Sequence, residues 1–330
     1  MARLYITEQQ AILRKTGDRL IVEKDHEVLA EIPCLKLEAV LIYGNVQFTT
    51  QAAVELLDHG IELAIFSASG TLRGQLTPPK AKNVMLRMQQ YELQKSEAFC
   101  LRLARAMIRG KILNAVAGLK RFRANHPEAL PPASVDAVER KLEALESCTS
   151  LESLRGIEGA AAAAYFQAFA ALVPPELGFA GRQRRPPRDP VNALLSFGYV
   201  LVGNELQSLL DGIGFDPYIG FLHRLDYGRP SLTLDLLEEF RPALVDRLTT
   251  RLLNLGILCR EDFSRGPDGG LYLGLEGKRH FFAEYEKELS TPLAGLPETL
   301  TFRGAFRRQA DRLAAALTRD EPYESFLLPC

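Results

Sequence analysis

The stretch TPPKAKN, residues 77–83, separates two parts of the sequence that differ in hydrophobic period. Before it, apolar and polar residues alternate over short runs, which indicates half-buried β-strands. After it, apolar residues recur every three or four positions over long runs, which indicates amphipathic helices. The sequence therefore predicts an α+β fold, with a small β-sandwich-like domain at residues 1–80 and a larger all-α-helical domain at residues 83–330.

The β-rich part contains several strand-like runs, separated by turn signals such as TGD at 16–18 and KDHE at 24–27. One helix is expected among the strands, in TTQAAVELLDHG at 49–60. Thr50 is its expected N-cap and Gly60 its expected end.

The helical part begins with the longest amphipathic pattern, residues 84–122, in which we expect a break near Gly110. Asp189 followed by Pro190 predicts the N-cap and the first residue of a later helix. The turn sequence at 267–270 predicts a small hairpin. Further helices are expected at 135–146, 150–172, 275–289 and 302–319.

The composition is that of an ordinary globular protein, with 47% hydrophobic and 25% charged residues in a chain of 330. The sequence contains no run of 18 apolar residues that would predict a membrane span, and its N-terminus does not resemble a signal peptide. The five cysteines form no Cys-x-x-Cys pair, so we expect reduced thiols in a cytoplasmic protein. The net charge of −1 argues against a surface that coats polyanions everywhere, but it permits a local basic groove.

The segment GFLHRLDYGRPSLTLDLLEEFRP, residues 220–242, places a histidine before an amphipathic helix that carries carboxylates. Asp235 and Glu238 are three residues apart and therefore project from one helical face. Leucines flank them, and a carboxylate at the edge of a buried face needs a partner such as a cation. Glu239 is expected to face solvent. His223 is either part of this site or a hydrogen-bonded core histidine.

A second acidic residue, Glu158, opens the run EGAAAAAYF at 158–166. Small residues allow a neighbouring helix or a substrate to approach the backbone, and tight helix packing explains most of the alanines. Packing does not explain a glutamate at the head of the run. Tyr165 lies seven residues further on, on the same helical face, and can place a phenol near the same site.

These acidic residues and the histidine form a candidate divalent-metal site. Glu158, His223 and Glu238, with Asp235 nearby, offer hard oxygen ligands and one imidazole, and no cysteine is close in sequence. Such a set suits Mg²⁺ or Mn²⁺ better than a structural zinc ion. Ions at such sites commonly polarise a phosphoryl oxygen and activate water or a hydroxyl.

Two basic segments favour a nucleic-acid backbone as the substrate. The first is a loop that opens a helix, and the second is a helical face within residues 98–127, which contain no acidic residue. The candidate DNA-binding residues are Arg182, Arg184, Arg185 and Arg188 in the loop, and Arg102, Arg105 and Arg109 on the helix. The alternative is an ordinary solvated surface in both places.

Three motifs, in this order, resemble those of the CRISPR-associated integrase-endonucleases of the spacer-adaptation module. They are GIEGAAAAAYF at 156–166, GFAGRQRRPPRDPVNALLSFGY at 178–199 and IGFLHRLDYGRPSLTLDLLEEFRP at 219–242. The resemblance covers essentially the whole chain. It implies a β domain followed by a helical catalytic domain.

The resemblance also implies roles for individual residues. Glu158, His223 and Glu238 correspond to the ligands of one divalent ion, Mg²⁺ or Mn²⁺. Asp235 corresponds to a nearby acidic position, and it remains open whether Asp235 or Glu238 contacts the ion. Tyr165 and, in the second motif, Asn192 match positions with supporting roles.

The implied activity is the insertion of short foreign DNA fragments into a CRISPR array. The 3′-hydroxyl of the fragment would attack a phosphodiester at a repeat boundary, and water at the same site would give nuclease activity. The implied assembly is a homodimer formed through residues 1–80, with two dimers joined by a small second adaptation protein into a hetero-hexamer on double-stranded DNA.

Two other functions remain open from the residues alone. The first is a general divalent-metal nuclease that acts on DNA or RNA in repair, without integration or a partner protein. The second is a non-catalytic, dimeric DNA-binding scaffold whose acidic residues are structural. Isolation of an integration product would separate an integrase from the first, and retained function in Glu158→Ala or His223→Ala would favour the second.

Overall fold

A computed structural model describes residues 2–67, 72–77, 83–183, 185–297 and 299–329. The chain divides into two compact units, residues 1–80 and 81–330. The first unit is built mainly from strands and the second mainly from helices, which confirms the predicted α+β class.

The N-terminal unit contains two four-stranded sheets. In the first sheet, three strands run parallel and the fourth is antiparallel to its neighbour, in the order β1 (Ala2–Ile6), β5 (Leu37–Tyr43), β7 (Glu62–Phe66) and β8 (Leu72–Leu76). In the second, an antiparallel meander is extended by one short parallel strand, in the order β4 (Glu27–Pro33), β3 (Arg19–Lys24), β2 (Ile12–Thr16) and β6 (Gln47–Phe48).

Both sheets and the helix α1 (Thr50–Asp58) contribute to one hydrophobic core. Alternate residues of the strands point into it, as the period of two requires. The core includes Ile6, Leu13, Leu20, Val40, Ile42, Leu56 and Leu63. This shared core matches the predicted sandwich-like arrangement. The N-cap of α1 is Thr49, whose side chain accepts a hydrogen bond from Ala52 N at 3.2 Å, and the predicted cap at Thr50 is one residue too late.

Among the described residues of the C-terminal unit, the regular secondary structure is helical apart from one hairpin. Its helices are α2 (Val84–Gln94), α3 (Glu97–Asn125), α4 (Pro132–Glu139), α5 (Lys141–Glu146), α6 (Leu151–Phe169), α7 (Pro190–Ile213), α8 (Ser231–Phe240), α9 (Arg247–Asn254), α10 (Leu275–Ser290) and α11 (Phe302–Arg319). The hairpin of β9 (Phe263–Arg265) and β10 (Leu271–Leu273) encloses the predicted turn at 267–270. A π-helical turn, Arg241–Asp246, joins α8 to α9.

Among the described residues, one helix is long and apolar enough to cross a membrane. It is α7, and 67% of its most apolar window is buried inside the protein, as expected for the core helix of a globular unit. Its N-terminus is formed as predicted, with Asp189 accepting a hydrogen bond from Asn192 N at 2.8 Å and Pro190 as the first helical residue.

The predicted break near Gly110 is wrong. The helical pattern breaks at Lys95, and Ser96 caps α3 by accepting a hydrogen bond from Phe99 N at 3.3 Å. Gly110 lies inside α3, where a Cβ would come within 2.4 Å of the side chain of Ser325. The glycine therefore permits a close crossing of two chain segments, and it does not interrupt the helix.

The segment crossing Gly110 belongs to residues 320–329, which have no regular secondary structure. Asn114 of α3 fixes this segment to α8, because its amide donates to the carbonyl oxygens of Glu239 at 3.0 Å and Phe326 at 2.9 Å. The ring of Phe326 stacks on Phe240 with the centroids 5.1 Å apart. These contacts join α3, α8 and the C-terminal segment.

Glu239 does not face solvent, contrary to the expectation from its helical position. Its side chain is fully buried and accepts hydrogen bonds from Phe326 N at 2.6 Å, Gln309 Nε2 at 3.0 Å and the hydroxyl of Tyr323 at 2.7 Å. Burial raises the pKa of Glu239 to about 8, although these three donors oppose the shift.

This raised pKa predicts a pH-dependent contribution to stability. Between pH 4.5 and about 8 the folded protein keeps a proton on Glu239 that the unfolded chain releases. The group therefore lowers the free energy of unfolding as the pH rises through this window, by up to about 1.4 kcal/mol per pH unit. We expect Glu239→Gln to remove this contribution, measured by urea unfolding between pH 5 and 8.

Glu152→Gln is the matched control, because Glu152 is exposed in the first turn of α6. It should leave the pH dependence of the wild type unchanged. Equal pH dependence of Glu239→Gln and the wild type would show that Glu239 is ionised in the folded protein throughout the window.

Candidate metal centre and nucleic-acid cleft

The loop before α8 is held in place by the buried carboxylate of Asp235. Its Oδ2 accepts hydrogen bonds from Phe221 N at 2.6 Å and Leu222 N at 2.9 Å, and its Oδ1 accepts one from His223 N at 2.9 Å. The loop passes so close to α8 that a Cβ on Gly220 would lie 2.7 Å from Oδ2 of Asp235. Asp235 therefore positions the loop, and its oxygens are occupied by these backbone donors.

Asp235 also orients the imidazole of His223. The Nδ1 atom of His223 lies 2.7 Å from Oδ1 of Asp235, and Nε2 lies 3.8 Å from Oε1 of Glu238. With Nδ1–H donating to the carboxylate, a neutral imidazole carries its lone pair on Nε2. This is the tautomer that a metal-ligating histidine adopts when a carboxylate supports it.

Glu158 and Glu238 meet at the ammonium group of Lys111. Nζ of Lys111, from α3, forms an ion pair with Glu158 of α6 and lies 2.6 Å from Oε2 of Glu238 on α8. Arg241 adds a second cation, with Nε 3.1 Å from Oε1 of Glu238. Three helices thus bring together two carboxylates that are far apart in sequence.

The charges of this cluster stabilise one another. Burial alone would raise the pKa of Glu238, but Arg241, Lys111 and His223 outweigh it and lower this pKa to about 2. Burial would likewise lower the pKa of Lys111, but the carboxylates of Glu238 and Glu158 raise it above its ordinary value. Both groups therefore remain charged at neutral pH.

The donor chemistry fits a divalent ion such as Mg²⁺ or Mn²⁺. Glu158 and Glu238 already converge on one cation, which contacts Oε2 of Glu238, and Nε2 of His223 lies 3.8 Å from the other carboxylate oxygen, Oε1. No three acidic, histidine or cysteine side chains in the described ranges are close enough together to hold a metal ion in their present positions. An ion shared by the two carboxylates requires the ammonium of Lys111 to move.

Tyr165 lies close to this cluster, but its hydroxyl forms a hydrogen bond with a residue outside the cluster. Its hydroxyl donates to Oδ2 of Asp246 at 3.0 Å, and the hydroxyl of Tyr199 donates to the other carboxylate oxygen. Burial raises the pKa of Asp246 to about 6, against the opposing effect of the two tyrosines and Arg241. Tyr165 and Glu158 line a common cavity of about 40 Å³, so the expected proximity is correct, but the phenol contacts Asp246.

Asn192 is fully buried and organises the loop before α7. Its amide nitrogen donates to the carbonyl of Gly181 at 2.9 Å and to Asp189 at 2.7 Å. Its oxygen accepts from Arg182 Nη1 and from Gln183 N, both at 2.8 Å. The side chain therefore fixes the arginine-rich loop to the start of α7.

A cleft of about 1140 Å³ opens beside the metal-binding candidates. Glu158, His223 and Glu238 all line it. Five arginines surround these residues in the same cleft, namely Arg155, Arg185, Arg224, Arg229 and Arg241. A concave site with this charge is suited to a polyanionic backbone.

The predicted basic loop is only partly available to a ligand. Arg185 and Arg188 are exposed, and Arg185 lines the cleft. Arg182 is half-buried and bonded to Asn192 and to Ser196 of α7. Arg184 lies outside the described residues.

Two of the three arginines on the basic helical face have counter-charges from distant segments. Arg102 donates to Asp320 at 2.6 Å, and Arg109 Nε lies 3.6 Å from Glu146. Arg105 donates to the carbonyl of Cys148. A contact of these three arginines with DNA remains a prediction.

The sequence did not reveal the importance of Lys111, Arg241 and Asp246. In the sequence, Lys111 is only one of several basic residues within 98–127. No local sequence pattern marks the π-helical turn that carries Arg241 and Asp246. An i, i+3 relationship between Glu238 and Arg241 was available, since such pairs share a helical face.

The comparison with protein families agrees with the motif resemblance. The family model described as CRISPR associated protein Cas1 matches residues 4–287. This chain belongs to the Cas1 family. A relative named CRISPR-associated endonuclease Cas1 3, from Thermus thermophilus, is 37% identical over 330 residues, covering 98% of this chain and 96% of the relative.

Solved structures share the whole Cas1 fold of this chain. A casposase bound to integration product matches with a TM-score of 0.87 and 25% identity, over 100% of this chain and 94% of the casposase. A Cas6-RT-Cas1–Cas2 complex contains a chain that matches with a TM-score of 0.85 and 25% identity, over 100% of this chain and 36% of the larger one.

The position of Lys111 makes a prediction about metal binding. An ion that binds between Glu158 and Glu238 must displace the ammonium, so Lys111→Met should remove this competition. We expect the variant to be less stable without added metal, because the two carboxylates lose a shared cation. The Mn²⁺ concentration that gives half of the maximal rise in melting temperature should fall by about tenfold, a change of about 1.4 kcal/mol in binding free energy.

Lys120→Met is the matched control, since Lys120 lies on the same helix and forms an exposed ion pair with Glu139. It should respond to Mn²⁺ as the wild type does. An unchanged Mn²⁺ midpoint in Lys111→Met would place the ion elsewhere than between the two carboxylates.

Proposed function

We propose that this Cas1 protein is a divalent-metal-dependent DNA endonuclease and integrase of CRISPR adaptation. It joins the 3′-hydroxyl ends of a short DNA fragment to phosphodiesters of a CRISPR array by transesterification. The convergence of Glu158, His223 and Glu238 in one arginine-lined cleft carries this proposal. The name of the Thermus relative supports nuclease chemistry, and the casposase bound to its integration product supports strand transfer on this fold.

The residues of the cleft have different roles in the proposed reaction. A divalent ion held by Glu158, His223 and Glu238 would polarise the phosphoryl oxygen and stabilise the charge that develops in the transition state. Asp235 keeps Nε2 of His223 directed towards Glu238. Arg241 helps to hold Glu238 in its ionised form.

The other arginines of the cleft, Arg155, Arg185, Arg224 and Arg229, bind phosphates on either side of the reacting one. Guanidinium groups contact phosphate oxygens in a bidentate manner without reading the sequence of the DNA. A donor fragment and a target duplex of many sequences can therefore be held at the same site. Hydrolysis and strand transfer then differ only in whether water or a 3′-hydroxyl is the nucleophile.

The proposed assembly is a homodimer formed through residues 1–80, with two dimers held by a small partner protein in a hetero-hexamer. The match to a chain of a Cas6-RT-Cas1–Cas2 complex supports a partner of the Cas2 type. Double-stranded DNA, as fragment and as array, completes the assembly in the cytoplasm.

The first test is an assay that detects joining and cleavage separately. Labelled duplex fragments with free 3′-hydroxyls, a supercoiled plasmid with repeats and Mn²⁺ or Mg²⁺ are mixed with the protein, with and without the partner. We expect label on the plasmid with wild type, and a loss of at least about 100-fold for Glu158→Gln, His223→Ala and Glu238→Gln. Loss of a ligand removes the ion and its stabilisation of the transition state.

Glu152→Gln on α6 and His126→Ala at the end of α3 are matched controls, because both side chains are exposed. They should join DNA as the wild type does. Cleavage without joining, even with the partner, would support the general nuclease. Equal joining by the wild type and the three ligand variants would remove the proposed site, and DNA binding without joining or cleavage by the wild type would support the scaffold.

A second prediction separates the two sets of arginines. Arg185→Glu with Arg229→Glu should weaken DNA binding at least about tenfold and reduce the slope of log affinity against log salt by about 2, since two phosphate contacts are lost. Arg102→Glu with Arg109→Glu should have a smaller effect, because both residues are already paired within the protein. Fluorescence anisotropy at several salt concentrations measures both. A larger loss for the helical pair would place the DNA on α3.

A further inference from the structure

One aromatic side chain stands at the edge of the cleft and is fully exposed. Tyr227 has a relative exposure of 104%, higher than any other large apolar or aromatic side chain in the described part of the chain. Its residue nevertheless lines the same cleft as Glu158, His223 and Glu238. A tyrosine exposed on its own needs no explanation, but an exposed ring in the cleft of the metal-binding candidates is placed to contact a ligand.

The loop that carries Tyr227 has a defined conformation. Tyr227 N donates to the side chain of Asp226 at 2.8 Å, and Arg229 N donates to the carbonyl of Asp226 at 3.1 Å. The hydroxyl of Ser231 donates to the carbonyl of Arg224 at 3.1 Å and closes the base of the loop. These bonds present the ring at the tip of a turn, so little conformational entropy is lost when a ligand covers it.

The residues around Tyr227 suit the binding of a nucleic-acid strand. Arg224 and Arg229 flank it in the sequence, and Arg185 lines the same cleft. Tyr227 is four residues from His223, so their Cα atoms are at most about 14 Å apart, which is about four steps of a stacked strand. Phosphates bound by the arginines would therefore bring nearby bases to the ring.

The ligand class follows from what an exposed ring can contact. Inside a duplex each base is already covered by its neighbours on both faces, whereas an unpaired base offers a free face to an aromatic side chain. We propose that Tyr227 stacks on an unpaired nucleobase of the DNA strand that enters the metal centre. This inference rests on the proposed function and adds a residue that positions the strand independently of its sequence.

The positive charge around the ring favours a nucleobase over a protein partner as the occupant. Tyrosine and arginine are both common at protein interfaces, but five arginines in one cleft, beside carboxylates that suit a divalent ion, match a phosphate backbone. A partner protein bound at Tyr227 is kept as a separate outcome of the test.

The chain contains no tryptophan, so Tyr227→Trp places a single reporter at the tip of the loop. Its fluorescence is followed on addition of three duplexes, without divalent ions. One has three unpaired nucleotides at the 3′ end, one has abasic sites at those three positions, and one is blunt. We expect strong quenching with the first duplex and little with the other two, because only the first offers free bases to stack on.

Leu255→Trp is the control reporter, because Leu255 is 67% exposed and lies outside the residues that line the cleft. It should not distinguish the three duplexes. Affinities measured by anisotropy complete the test. Tyr227→Ala should weaken binding of the unpaired-end duplex by about 5- to 150-fold, and Tyr227→Phe should retain wild-type affinity, since stacking needs the ring and not the hydroxyl.

The outcomes distinguish this inference from the proposed function. If the wild type binds and joins DNA but Tyr227→Ala binds the unpaired-end duplex equally well, stacking at Tyr227 is wrong and the integrase proposal stands. If the wild type binds no DNA, both are wrong. If Tyr227→Ala loses joining only in the presence of the partner protein and binds DNA normally, the ring contacts protein, and the nucleobase inference is overturned.

Discussion

The structure of the site depends on a shared cation between two carboxylates. Glu158 and Glu238 would repel each other in a poorly solvated environment, and the ammonium of Lys111 makes their approach possible. A buried ion cluster is rarely the best way to stabilise a fold, because well-packed apolar residues of similar size do as well or better. Its presence where α3, α6 and α8 meet therefore indicates a site that is maintained for charge and binding.

The three carboxylates of α8 show how one short helix serves several purposes. Asp235 positions the preceding loop and orients His223, and Glu238 enters the ion cluster. Glu239 accepts hydrogen bonds from Phe326 N and Tyr323 in the C-terminal segment and from Gln309 on α11. All three are buried, and each has its own set of partners. The metal-binding candidates are thus held by polar contacts on both sides of the helix, which fixes their geometry more firmly than packing alone.

Much of this arrangement could be predicted from the sequence, and the part that could not has a common cause. The change of period at residues 77–83, the cap at Asp189 and the spacing of Asp235 and Glu238 are local patterns, and the structure agrees with each. The expectation that Glu239 faces solvent is wrong because its hydrogen-bond partners, Gln309, Tyr323 and Phe326, are distant from it in the sequence. Local spacing cannot report contacts between segments that are distant in the chain.

The same cause explains why residues 98–127 alone do not reveal the counter-charges of their arginines or the role of Lys111. A stretch that lacks acidic residues of its own can still have counter-charges from Asp320, Glu146 and the two site carboxylates. The charges of the cluster show how its net charge would change on binding a divalent ion. The ammonium of Lys111 and the guanidinium of Arg241 together balance the two carboxylates, and a divalent ion in place of the ammonium would add one positive charge. Under the proposed function, a divalent ion at this position would ease the approach of a DNA phosphate more than the ammonium does.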